Sequence, residues 1–241
     1  MPYRRLPNTD LARLRALRIA FEKGKEMPPF SLAFSQMTFQ KVFSNIHIFE
    51  KVVQECRHAY NIQVEKSKEY ARHLKKAKLY MSHFIQVVNM AILRSDLSPN
   101  DRDYFGFSRD QRKVPSFGTE AEVIKWGEKL IQGETLRIKK GLTPVTNPTM
   151  AVVKVRYENF MEAYKFQKIL QKNLQRSQEK LVEQRKVIDS IISSVWNEVE
   201  ETFKNLPDEA RRNHTKIYGL VYFYRKSELS QIAKKQDRSN D

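Results

Sequence analysis

Three places in this sequence set an acid or a hydroxyl beside a histidine at a spacing that could do chemistry. Glu55-Cys56-Arg57-His58 has the Glu-x-x-His spacing of di-iron carboxylate bundles, where residues three apart on a helix reach one metal from the same face. Such a centre needs the motif twice. Glu69 and His73 stand one turn apart, which brings a carboxylate near an imidazole. Ser82 precedes His83 and invites a nucleophile-and-base reading, but helix neighbours in sequence do not face each other and cannot share that hydrogen bond. A satisfied histidine in a helical bundle is the simpler reading. The chain has no glycine-rich phosphate loop, nucleophile elbow or zinc spacing. The sequence therefore assigns no catalytic, cofactor-binding or metal-ligating residue, and no cofactor is expected. Its single cysteine, Cys56, excludes an internal disulfide and reads as a small buried hydrophobe on a helix.

Charge carries more functional information. The formal net charge is +16 with a pI near 9.8, a balance that favours polyanions such as nucleic acid or anionic lipid. Part of the charge is concentrated in Lys66, Lys68, Arg72, Lys75, Lys76 and Lys78, and again in Lys168, Lys172, Arg176, Lys180, Arg185 and Lys186. Of these, Lys68, Arg72, Lys75, Lys76, Lys172, Arg176 and Lys180 are the candidates for phosphate contact. Arg13, Arg15 and Arg18 form a further basic cluster. The competing reading is a solvated helix face, because Glu65, Glu69, Glu179 and Glu183 interleave with the bases at spacings suited to ion pairs. Single-strand binders also need exposed aromatics for stacking, and most aromatics here lie on the apolar seam.

The elements that must carry these residues are helices. Steps of three and four run through Phe39, Val42, Ile46, Phe49, Val53, Cys56, Tyr60, Gln63, Ser67, Tyr70, Leu74, Ala77, Met81, Phe84, Val88 and Ala91. A second seam runs through Leu170, Leu174, Ser177, Leu181, Gln184, Ile188, Ile191 and Val195, then the polar Glu198 and Thr202, with Phe160 and Phe166 on adjoining positions. Every glycine and proline lies outside the tracts Phe30 to Ser98 and Thr149 to Leu206. A rod through the first tract would be ~100 Å long, against a radius of gyration of ~18 Å for one compact chain of this length. The preferred expectation is therefore a hairpin or sharp kink near residues 58–66, where Asn61 tolerates a helix end, and another near 171–177 beside Asn173. The alternative is a continuous coiled coil with a polar layer at Gln63, Ser67 and Ser177. Shorter helices are expected from Thr9 to Lys23 and from Thr119 to Gln132. The second has capping-box spacing, and Asn147-Pro148 offers an N-cap and a first-turn proline for the long tract behind it.

The two halves of the sequence echo each other. At a shift of about 110, Thr9 pairs with Thr119, Val42 with Val152, Ser67 with Ser177, Glu69 with Glu179 and Ile85 with Val195. Near the ends, Leu97-Ser98-Pro99 answers Leu206-Pro207-Asp208, and Phe105-Gly106 answers Tyr218-Gly219. The expected fold class is all-α, a duplicated antiparallel helical bundle with pseudo-twofold symmetry. Residues 1–112 would form the first repeat, 113–225 the second, packed on the first as one bundle, and 226–241 a polar tail. The aromatic run Tyr218 to Tyr224 is expected to pack in the core rather than at a subunit contact. The echo also filters function: the shift places Lys165 opposite Glu55 and Lys168 opposite His58, so the di-metal motif lacks its second copy, whereas the basic stripe has one.

In the stretches Leu79 to Met90, LYMSHFIQVVNM, and Ile124 to Glu134, IKWGEKLIQGE, the chain resembles uncharacterised all-helical proteins of Bacteroidetes-type bacteria. That resemblance implies an all-helical fold and no activity.

With no stretch near the ~18 apolar residues of a membrane span and no apolar run behind the basic N-terminus, a cytoplasmic protein is expected. The functional expectation is a non-enzymatic interaction or scaffold protein that binds a protein partner or itself. The alternative is a nucleic-acid-binding module using the basic helix faces.

Overall fold

The protein is described by a computed structural model covering residues 3–108 and 113–224. The tail at 226–241 lies outside the described residues. Among the described residues the chain is all-α apart from one two-stranded pair. Helix α1 spans Asp10–Glu26, α2 Gln36–Leu93, α3 Glu120–Lys139, α4 Met150–Thr202 and α5 Asp208–Lys216, with a 3-10 helix at Pro99–Phe105. Thr9 caps α1 through a hydroxyl that accepts from the Ala12 N–H at 3.2 Å. Thr119 opens α3 with the expected capping box: its hydroxyl accepts from Glu122 N–H, and the Glu122 carboxylate accepts from Thr119 N–H.

The two long helices are unbroken, which overturns the expected hairpins near 58–66 and 171–177. Among the described non-glycine residues only Ser95 and Asn147 have positive φ, so neither Asn61 nor Asn173 ends a helix. The chain divides into two compact units, residues 1–59 with 174–241 and residues 60–173, and each long helix contributes to both.

The first unit buries Leu17 of α1, Val42 and Phe49 of α2, and Ile188, Trp196 and Val199 of α4 in one cluster. Glu198 sits at its α2 end, where it accepts hydrogen bonds from the Ser35 N–H and the Thr38 hydroxyl, both at 2.6 Å. A carboxylate on the last turns of α4 thus caps the first turn of α2, and the two helices run antiparallel here. The second unit buries Met81 and Phe84 of α2, Phe105 of the 3-10 helix, Leu130 of α3, and Val153 and Phe160 of α4. Here the latter half of α2 meets the first half of α4, again antiparallel.

Several local expectations need correction. The seam of α2 is buried at both ends but opens at Tyr60, which is 53% exposed, and on α4 Phe166 is also exposed. Val152 is exposed as well, so it does not play the part of Val42. The buried series Val42, Ile46, Phe49 is matched by Val153, Tyr157, Phe160, one residue later than the expected shift. Helix α3 continues past Gln132 because Gly133 is not a breaker. A Cβ there would lie 2.5 Å from the Tyr104 carbonyl oxygen, so the glycine lets the 3-10 helix approach. Helix α4 starts at Met150 rather than at Pro148, and Asn147, with φ 55°, stands outside it. The aromatic run near the end begins in a turn at Tyr218 and Gly219 and then extends, with Tyr218 and Leu220 buried and Val221 and Phe223 exposed. Tyr222–Phe223 pairs antiparallel with Tyr3–Arg4. That alternation is the period-2 pattern of a half-buried strand.

Candidate basic face

The charge clusters seen in the sequence separate into committed and uncommitted groups. In the first unit Arg185 holds Asp10 with two bonds of 2.7 Å, and Arg13 holds Asp189 at 2.7 and 3.0 Å. Arg18 reaches Glu50 at 2.7 Å and Lys186 reaches Glu183 at 3.0 Å. In the second unit Lys66 binds Glu69 at 3.1 Å, Lys168 lies 3.5 Å from Glu120, and Lys78 donates to the Gly118 carbonyl. By contrast, Lys68, Arg72, Lys75, Lys76, Lys172, Arg176 and Lys180 are all exposed and enter no ion pair or hydrogen bond among the described residues.

The structure brings four of these seven together. Lys68, Arg72, Lys75 and Lys76 follow one another on α2 in the second unit, on the side away from the buried Ala77 and Met81. Lys172 belongs to the same unit on α4, while Arg176 and Lys180 lie one turn apart on α4 in the first unit. The α2 stripe is not purely basic. Steps of three and four through the same face give Tyr60, Val64, Lys68, Arg72, Lys75 and Leu79, and all three flanking apolar side chains are exposed. Sequence reasoning placed Tyr60 in the core seam and so missed this continuity. At 1.5 Å per residue the stripe runs ~28 Å.

Beside it, α2 and α4 of the second unit enclose a cleft of about 480 Å³ lined by Lys66, Glu69, His73, Glu162, Phe166 and Gln167. The Lys66 hydrogen bond and charge hold the Glu69 carboxyl below its usual range. His73 Nε2 lies 4.0 Å from Glu69 Oε1. Tyr70, also at the cleft, donates to Glu120; burial first, and then that bond, push its phenol well above its usual range. It stays protonated and serves as a donor rather than a base. Gln167 is buried, and its Oε1 has no partner among the described residues.

The other sequence candidates are separate from this face. Glu55 and His58 are exposed on the first unit's part of α2, with Glu55 3.9 Å from Lys51. No group of three or more His, Cys, Asp or Glu suited to a metal occurs among the described residues. Ser82 is half-buried and His83 exposed. Cys56 is half-buried beside Arg185, and burial pushes its thiol up despite that cation.

A buried charge cluster in the second unit had no sequence signal at all. Arg137 and Glu134 are both fully buried and bonded at 2.7 Å. The same guanidinium reaches the Thr143 carbonyl at 3.2 Å and Asp101 at 3.5 Å. Glu134 also accepts from the Val145 N–H at 2.7 Å. The cluster ties α3 to the 3-10 helix and to the loop before α4. Apart from the Arg137 Nε, which has no partner among the described residues, its groups satisfy one another, so its role is architectural.

The chain matches no protein-family model, no curated protein and no solved structure. No helix among the described residues is long and apolar enough to cross a membrane.

Proposed function

We propose that this chain is a non-enzymatic interaction protein that docks an acidic protein partner on the outward face of α2 in its second unit. The observation that carries the reading is the exposed stripe Tyr60, Val64, Lys68, Arg72, Lys75, Leu79, in which three uncommitted cations are flanked at both ends by exposed apolar side chains. Protein interfaces combine apolar anchors with a polar surround, and a cationic stripe would select an acidic counterpart and speed its encounter. None of these cations is tied into an ion pair, and the nearby Glu69 and Glu120 are paired with Lys66 and Lys168 instead.

We further infer that the two sequence halves are duplicates. Each supplies a threonine-capped short helix, one long helix, and a short helix followed by a glycine at positive φ, Gly106 or Gly219. The buried stations Ala77, Met81, Phe84 and Val88 of α2 recur at a shift of 111 as Ile188, Ile192, Val195 and Val199 of α4.

A nucleic-acid-binding module is the second reading. Lys68, Arg72 and Lys75 would meet successive phosphates while the exposed ring of Tyr60 offers a stacking surface. One experiment separates the two. A photoreactive residue at position 79 should crosslink a discrete protein in native extract, and Lys68→Glu with Arg72→Glu and Lys75→Glu should abolish the adduct. An adduct that disappears on nuclease treatment, with binding to oligonucleotides that falls steeply with salt, would replace the first reading by the second.

A further inference from the structure

The first unit contains a second feature with unmatched charge. A cavity of about 350 Å³ lies between α1 and the paired segments Tyr3–Arg4 and Tyr222–Phe223, with Trp196, Ile19 and Val221 among its apolar walls. Arg5 and Arg15 also line it, and its lining includes no Asp, Glu or His. Neither guanidinium enters an ion pair or a side-chain hydrogen bond among the described residues; Arg5 lies over the Phe223 ring at 4.6 Å. Their neighbours are all committed. Arg4 bonds Asn197 at 2.8 Å and Glu200 at 2.9 Å, while Arg13 and Arg18 hold Asp189 and Glu50.

The space exists because α1 carries Ala12 and Ala16 along this side, one turn apart. The second unit shows what a filled version looks like. Seven residues after its capping threonine, α1 has Ala16, whereas α3 has Trp126 seven residues after Thr119, with its indole stacked on Phe107 at 5.2 Å. The aromatic that closes this position in one unit is missing from the other, and two arginines without a carboxylate partner among the described residues stand at the resulting hollow.

We propose that this cavity binds a small molecule with an apolar body and one carboxylate. The volume falls in the range of small-ligand sites, which combine apolar walls with a few polar groups that fix orientation. Guanidinium groups match a carboxylate through paired N–H donors and remain charged at any accessible pH. The apolar body would lie against Ala12, Ile19 and Val221, above the buried Trp196, and the carboxylate would sit between Arg5 and Arg15. The inference does not depend on the α2 stripe.

Trp196 in the cavity wall provides the readout, and Trp126→Phe leaves it as the only tryptophan in the full-length chain. Octanoate and 3-phenylpropanoate are titrated as probes, with 1-octanol and inorganic phosphate as controls. At least one acid should change Trp196 emission saturably with one site per chain, octanol should bind at least about tenfold more weakly than octanoate, and phosphate should not compete. Arg5→Gln with Arg15→Gln should weaken acid binding about tenfold or more while leaving octanol unchanged. Ala16→Leu should abolish binding of both classes at unchanged helical circular dichroism, and Ala12→Leu does the same job if the first variant fails to fold. The proposal is overturned if neither acid saturates. It is equally overturned if octanol and octanoate bind alike, if phosphate competes with the acids, or if the filled variants bind as the parent does.

Discussion

Replacing Arg137 by methionine tests whether the buried charges of the second unit hold it together. The side chain is fully buried, and methionine preserves much of its volume, so the loss comes from charge rather than from a large cavity. Glu134, also fully buried, would keep only the Val145 N–H at 2.7 Å, and Asp101 would keep the Ser98 N–H at 3.1 Å. Removing one partner of a buried ion pair costs about 3–5 kcal/mol, because the remaining charge is left without compensation. At a urea slope of about 2 kcal/mol per M, the midpoint should fall by ~2 M. Trp126 lies in the second unit and Trp196 in the first, so a Trp196→Phe background lets Trp126 fluorescence follow the affected unit alone. Glu134→Leu alone should be damaging for the same reason. The double variant Arg137→Met with Glu134→Leu should cost far less than the sum, since replacing both ions by apolar groups removes the desolvation penalty with the attraction. Additive losses in the double variant would refute the reasoning.

Three further outcomes follow from local geometry. Burial pushes the Glu198 carboxyl up, but the bonds from the Ser35 N–H and the Thr38 hydroxyl together outweigh it, and the net result lies below the usual carboxylate range. Its contribution is therefore present above the unfolded carboxylate range and lost as pH falls through it. Glu198→Gln should cost about 1 kcal/mol at pH 7 and flatten the acid limb of unfolding followed by Trp196; an unchanged limb would contradict the cap. Gly133→Ala should destabilise the second unit by about 1–3 kcal/mol despite alanine's better helix propensity, because the facing atom is the Tyr104 carbonyl. A neutral or stabilising result in urea melts would show that the 3-10 helix gives way. Burial pushes the Tyr157 phenol up to about 12, so ultraviolet titration of the folded chain should show late-ionising tyrosines, one fewer of them in Tyr157→Phe. Because that phenol holds its proton more tightly when folded, its contribution is lost as pH rises from about 10 toward 12.

The helices were legible because hydrophobic period, capping threonines and the placement of glycine and proline all agree, as at Thr9 and Thr119. What sequence could not decide was any question turning on what a residue meets. Gly133 looks like a breaker until Tyr104 is seen against it. Tyr60 fits the apolar seam by spacing, yet it falls where the cores of the two units give out, and the ring turns to solvent. The basic runs read alike in the sequence, but Arg185 meets Asp10 from 175 residues away, while Arg176 and Lys180 meet no acid. Local pattern specifies the element. Whether a charge is structural or available is set by tertiary pairing, which has no period.

The crossing of the sequence halves between the units makes their differences informative. Each unit takes a capped short helix and the start of the following long helix from one half, and the end of the other long helix from the other half. If the halves are duplicates, the two units began as copies, and equivalent stations can be compared directly. The first acid after each capping threonine keeps its job: Asp10 binds Arg185 of α4, and Glu120 accepts from Tyr70 of α2. Both fasten a short helix to the long helix of the opposite half, so this position is held by architecture. Seven residues after the threonine the agreement ends, with Trp126 packed in one unit and Ala16 beside a cavity in the other. A copy under purely structural demand would tend to refill such a hollow, since unfilled apolar volume costs stability. That the hollow persists beside two uncommitted arginines is the argument for seeking a ligand there rather than at the histidines.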